Sequence, residues 1–215
     1  SVISTSEVTH ATPAAFVVHT SSRYLTDEIS IQMADSKIIN ILGGGRKFFI
    51  PEKDGGNRKD GINLIEKVKT KSRLITDKSE LSDPARYGDS QVFGLFADEH
   101  LRDDDTPENH STEPSIEEML EFSVNRSKKF IENGCKGFFV MAEASQVDWA
   151  GHSNDFEYLM REMSDLEDGI KWALNFAENN QDTLVVVTAD HETGGLLIEP
   201  NDPRNYENLD VKFSF

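Results

Sequence analysis

The chain has 215 residues, 37% hydrophobic and 28% charged, which is enough apolar material for one large domain with a buried core and excludes disorder over most of its length. Its 22 Lys and Arg stand against 39 Asp and Glu, a net charge of −17, so its field repels polyanions and disfavours sequence-independent nucleic-acid binding. A single cysteine, Cys135, excludes an intrachain disulfide, and no run approaches the ~20 apolar residues of a membrane-spanning helix.

Val2-Ile3-Ser4-Thr5 reads as an opening strand. Thr12-Pro13 then predicts a helix to about Tyr24, with Thr12 suited to cap free backbone N–H groups and Pro13 to the first helical position. A second, short helix starts at Thr26-Asp27-Glu28, and Ile38 to Leu42 is a buried strand halted by a turn at Gly43-Gly44-Gly45. Those glycines lack the Lys-Ser or spaced third Gly of a phosphate cradle. Residues 46–90 are polar and read as a peripheral excursion with one helix near Gly61 to Thr70.

Val92 to Phe96 is the next strand. The acidic loop Asp98 to Glu113 follows, with His100, His110 and Asp103-Asp104-Asp105, and it reads as solvated because the spacing of a calcium loop is missing. Pro114 leads a helix to Asn133 with Ile116, Met119, Leu120, Val124 and Ile131 on one stripe and Gly134 as its stop. Phe138 to Met141 is a short apolar strand, and Asp155 to Asn179 a long helix. Along that helix Phe156, Leu159, Met160, Met163, Leu166, Ile170, Ala173, Leu174 and Ala177 recur at helical spacing as core. Thr183 to Thr188 is another buried strand, Gly194-Gly195 turns into Leu196-Leu197-Ile198, and a last strand starts at Val211. Apolar strands alternating with amphipathic helices predict an α/β fold, a three-layer sandwich with a mainly parallel central sheet flanked by helices. The strands at the two ends suggest a single domain over 1–215 that continues beyond both of them.

Ligands of open parallel sheets bind beyond the carboxyl ends of strands, and two such positions are dense in metal-ligand types. Glu143, Asp148 and His152 follow the strand ending at Met141, and Asp190 and His191 follow the one ending at Thr188. Asp148 and His152 are four apart, which puts an oxygen and a nitrogen donor on one side of a helical turn and suits zinc. Glu143, a pure oxygen donor, suits magnesium better. One Asp-x-x-x-His pair alone is more often a surface hydrogen bond, and a strand-ending Asp is often a helix cap. Two such clusters, each directly after a wholly apolar strand, favour metal.

Glu143-Ala144-Ser145-Gln146-Val147-Asp148-Trp149-Ala150-Gly151-His152 and Thr188-Ala189-Asp190-His191-Glu192-Thr193-Gly194-Gly195 resemble the metal-binding motifs of alkaline phosphatases. Thr9-His10-Ala11-Thr12-Pro13-Ala14-Ala15, followed by Ser22-Arg23, resembles the stretch that carries the family's magnesium threonine and phosphate-binding arginine. The resemblance spans residues 1 to 200 and weakens between Pro51 and Tyr87. It implies that Asp148 and His152 bind one zinc ion, Asp190 and His191 a second, and Thr12 and Glu143 a magnesium ion. It implies that Arg23 holds two phosphate oxygens, and that His10 and Trp149, which match the family's His and Trp variant, contact the magnesium site and phosphate through water. The implied activity is hydrolysis of phosphate monoesters to alcohol and inorganic phosphate through a phosphoserine, in a secreted or periplasmic homodimer.

This sequence also departs from the family. No Asp-Ser-Ala stretch with the nucleophilic serine is present, no His follows His191, and Ala97 stands after Phe96 where animal relatives carry a calcium-binding acid. Two other readings therefore stay open: a sulfatase, phosphodiesterase or phosphomutase relative with a different nucleophile, and a non-catalytic metal- or phosphate-binding module.

Overall fold

The structure, a computed structural model, describes residues 1–102, 112–202 and 205–213. Strands β1 (Val2–Glu7), β2 (Asn40–Gly44), β3 (Ser72–Ile75), β4 (Gln91–Leu95) and β5 (Met141–Glu143) form one sheet in the order β3-β4-β2-β1-β5, with every pair parallel. Parallel neighbours need crossover connections. Helices α1 (Ala11–Ala15) and α2 (Thr26–Asp35) lie between β1 and β2, α3 (Leu64–Lys71) between β2 and β3, and α4 (Ile116–Glu132) between β4 and β5. After β5 come α5 (Gln146–Ser153) and α6 (Phe156–Asn179), then a separate antiparallel pair, β6 (Leu196–Asp202) and β7 (Asn205–Phe213). Among the described residues no helix is long and apolar enough to cross a membrane.

Successive residues of a strand face opposite sides of a sheet, and here both sides are apolar. Ile41 and Phe93 join Ile29 and Met33 of α2 and Leu64 and Val68 of α3 in one core, while Leu42 and Val92 join Met119 and Phe122 of α4 in the other. The sheet is thus covered on two faces, the three-layer α/β arrangement expected from the apolar runs. At the start of α4 the Ser115 hydroxyl accepts from the Glu118 N–H while the Glu118 carboxylate accepts from the Ser115 N–H, which satisfies two free donors.

Several elements differ from the sequence expectation. The helix begun at Ala11 stops at Ala15, because β-branched Val17, Val18 and Thr20 and then Ser21-Ser22 have poor helix propensity and Val18 is drawn into the core beside Ile29. Gly43 and Gly44 continue β2, and only Gly45, at φ 95, makes the turn. The strand expected at Phe138 to Met141 lies later, so Glu143 is inside β5 and not beyond it. Phe138 and Phe139 instead meet Phe176 and Phe16, with ring centroids 6.3 and 5.8 Å apart. Thr183 to Thr188 joins no ladder, and Leu184 and Val186 are 85% and 72% exposed. An apolar run becomes a strand only when a neighbour takes its backbone N–H and C=O groups. Of the nine core positions expected on α6 only Leu159 is buried, and Phe156, Met160, Met163 and Leu174 are exposed, since α6 packs chiefly on α4 and α5. His110 and Asp103-Asp104-Asp105 lie outside the described residues.

Candidate active site

The carboxyl ends of β1 and β5 deliver most of the expected residues to one end of the sheet. Ser4 of β1 stands opposite Glu143 of β5, and its hydroxyl donates to Glu143 Oε2 at 2.8 Å, which fixes that carboxylate. The chain then enters α5, whose first residue is anchored on β1. Gln146 Nε2 donates to the carbonyls of Thr5 (3.1 Å) and Leu101 (2.7 Å), and the Tyr158 hydroxyl donates to Gln146 Oε1 at 2.6 Å. Asp148, Trp149 and His152 ride on this anchored helix. From β1 the chain runs into α1, which touches β1 and β5 and carries Thr12 in its first turn, with His10 as the preceding cap residue.

Asp148 and His152 lie one turn apart on α5, with Asp148 Oδ2 3.6 Å from His152 Nε2. In the second pair Asp190 Oδ2 is 3.5 Å from His191 Nε2, on an extended segment where a strand end was expected. The two pairs meet at Thr193, whose hydroxyl donates to Asp148 Oδ1 and lies 3.2 Å from His191 Nδ1. Glycines permit this approach: a Cβ on Gly151 would stand 2.7 Å from the Thr193 carbonyl oxygen, and one on Gly194 2.2 Å from the Gly151 carbonyl oxygen.

His191 Nδ1 is 2.9 Å from the Glu192 carbonyl oxygen. A carbonyl only accepts, so Nδ1 carries the proton and the Nε2 lone pair faces Asp190. That backbone bond, and next the charge of Asp190, raise the His191 pKa above its ordinary value. The Nε2 lone pair and the Asp190 carboxylate stand 3.5 Å apart, and the mixed oxygen and nitrogen donors of each pair fit zinc. The oxygen donors Thr12 and Glu143 fit magnesium. Among the described residues no three His, Cys, Asp or Glu side chains close around one point, so each pair offers two ligands and not a full set.

Arg23 reaches the cap residue of α1. Its Nη2 donates to His10 Nε2 at 3.0 Å, and His10 Nδ1 is buried with no protein partner among the described residues. Burial, then the Arg23 charge, hold the His10 pKa below its usual value against the pull of Asp148. The Trp149 ring stands edge-on to His10, centroids 5.6 Å apart. Arg23, His10 and Trp149 therefore form one cluster adjoining Asp148.

Sequence reasoning assigned no role to Thr193, Glu7 or His100. The position of Thr193, two residues after His191 in a turn ended by Gly194-Gly195, was the available signal for the first. Glu7 ends β1, and burial together with the neighbouring Glu99 charge, opposed by Arg23, raises its pKa from 4.5 to about 7. A carboxyl raised in this way stays protonated in the fold while the unfolded chain ionises. Its contribution to stability is therefore full below about pH 4.5 and is lost as the pH rises to about 7. Glu7→Gln in the full-length protein is expected to gain stability relative to the parent between the low and high ends of that window. Urea midpoints at both ends check this, and a constant gap would show that Glu7 titrates normally.

A family model described as alkaline phosphatase matches residues 1–210. The chain belongs to the alkaline phosphatase family. It is 38% identical over 212 residues to alkaline phosphatase 4 of Bacillus subtilis, covering 95% of this chain and 42% of that protein. To alkaline phosphatase 3 of the same organism it is 38% identical over 219 residues, covering 98% of this chain and 44% of that protein. The chain thus spans less than half the length of these curated alkaline phosphatases. Among solved structures, the alkaline phosphatase of the Antarctic bacterium TAB5 superposes with a TM-score of 0.76 at 32% identity, covering 99% of this chain and 60% of that one. A variant of that enzyme, described with Mg bound in its M3 site, superposes with a TM-score of 0.73 at 30% identity and the same coverage.

Proposed function

We propose that the protein containing this chain hydrolyses phosphate monoesters to alcohol and inorganic phosphate, and that the residues above form much of its active site. The observation that supports this most is the meeting of the two Asp-His pairs at the Thr193 hydroxyl, together with an Arg23 guanidinium held on His10. On this reading Asp148 and His152 hold one zinc ion, Asp190 and His191 a second, and Thr12 and Glu143 a magnesium ion. Bound there, the cations would stabilise negative charge on the entering and leaving oxygens of an in-line displacement.

The chain's own residues do the rest. Arg23 presents a planar fork of N–H donors that matches two phosphate oxygens. One of its nitrogens is held by the neutral acceptor Nε2 of His10, so the fork is oriented before substrate arrives. Trp149 stands edge-on against one side of His10. Thr193 orients Asp148, the Glu192 carbonyl turns His191 Nε2 outward, and Ser4 orients Glu143. The homodimeric state and the periplasmic or extracellular location rest on the resemblance alone.

Purified full-length protein, assayed on an aryl phosphate, an aryl sulfate and a phosphodiester, tests the reading. Phosphate release from the monoester far above the other two, lost on chelation and restored by zinc with magnesium, is the expected result. Preference for the sulfate or the diester, or metal and phosphate binding without turnover, would replace it with one of the two competing readings.

A further inference from the structure

We propose that His100 is a positioning residue for the Arg23 grip on phosphate, acting through Trp149 and His10; the inference rests on the phosphatase reading of that cluster. The acidic loop that carries His100 reads from sequence as solvated, yet its start is pinned to the sheet. The Gly45 and Arg46 N–H groups donate to the Ala97 carbonyl at 3.1 and 3.0 Å, Lys47 N–H donates to Asp98 O at 3.0 Å, and Leu101 N–H donates to Thr5 O at 3.0 Å. The loop backbone lies directly on β2, where a Cβ at Gly44 would fall 2.0 Å from the Glu99 carbonyl oxygen. His100 is thereby held at the end of β1, the same end that supplies the phosphate cluster.

The ring itself is fixed by a main-chain donor. The Glu7 N–H donates to His100 Nδ1 at 3.2 Å, and because an N–H only donates, Nδ1 carries the lone pair and the ring proton sits on Nε2. Glu7 Oε2 stands 3.4 Å from the same Nδ1, an arrangement that suits a protonated carboxyl. From this anchor a row of flat groups runs to the phosphate grip. The His100 ring centroid is 4.3 Å from that of Trp149, Trp149 is 5.6 Å from His10, and His10 Nε2 accepts from Arg23 at 3.0 Å. His10 and His100 are themselves edge-on at 6.1 Å, so the indole is bounded by two imidazoles. Without His100 the indole loses its nearest ring neighbour, and with it the wall that keeps His10 and the Arg23 fork in one orientation.

The test uses full-length protein labelled with fluorotryptophan, in which the Trp149 fluorine resonance is assigned by its loss in Trp149→Phe. His100→Ala removes both the ring and the acceptor. His100→Asn keeps an oxygen acceptor near the Nδ1 position for the Glu7 N–H and so preserves the loop. In both variants inhibition by inorganic phosphate is expected to weaken about threefold to tenfold, with KM rising in step, kcat within about twofold, and the Trp149 resonance displaced. Unchanged phosphate inhibition and an unmoved resonance in an active His100→Asn protein would overturn the inference, as would full recovery of both by Asn, which would mark His100 as a loop anchor only. A parent protein that inorganic phosphate does not inhibit would overturn the phosphatase reading first, and this inference with it.

Discussion

His152→Ala and His191→Ala, each made in the full-length protein, are expected to lower bound zinc by about one equivalent per subunit, since losing one of three or four ligands weakens a zinc site greatly. Activity should fall by orders of magnitude in each, because two cations acting on opposite oxygens of one displacement do not substitute for each other. A purely structural role predicts something else. The two side chains are 70% and 57% exposed, so neither carries core packing, and replacing either should leave stability nearly unchanged. Metal analysis of dialysed protein beside a melting curve separates the cases. Lost zinc, with parent and variants melting alike once all are metal-free, supports ligation, and full zinc retention in both variants contradicts it.

Arg23→Lys should keep the positive charge while losing the planar fork and the oriented bond to His10 Nε2. The fall in kcat/KM is expected to be tenfold to a hundredfold, ~1.4–2.8 kcal/mol of transition-state stabilisation, with weaker inhibition by inorganic phosphate. Phosphate inhibition that stays at the parental level would show that Arg23 only ties its own segment to α1 through His10.

The parts of the fold legible in the sequence were those whose burial is complete within these residues. β2 and β4 are covered on both faces and read as continuous apolar runs, and α4 announces itself by Pro114 before it, its apolar stripe and a stop at Gly134, which is left-handed in the fold. The helix after Thr12-Pro13 was overextended because start signals carry no information on length. Thr183 to Thr188 and the exposed stripe of α6 were misread for a shared reason. Apolar content records that a surface favours burial, but it does not say which neighbour covers it.

The candidate site divides in the same way. Asp148 with His152, and Asp190 with His191, were legible because each pair is local in sequence. The contact that joins them was not, since it depends on Gly151 and Gly194 letting two backbones approach. The links from Glu7 through His100 to Trp149 span distant segments that only the parallel sheet brings together.

The central claim is that the two Asp-His pairs each hold one zinc ion at a shared phosphate site, and anomalous diffraction at the zinc edge from crystals of the full-length protein tests it most directly. Two peaks are predicted, one about 2.0–2.2 Å from an Asp148 oxygen and a His152 nitrogen and one at similar range from Asp190 and His191. Zinc-replete crystals with no peak at either pair would contradict the account.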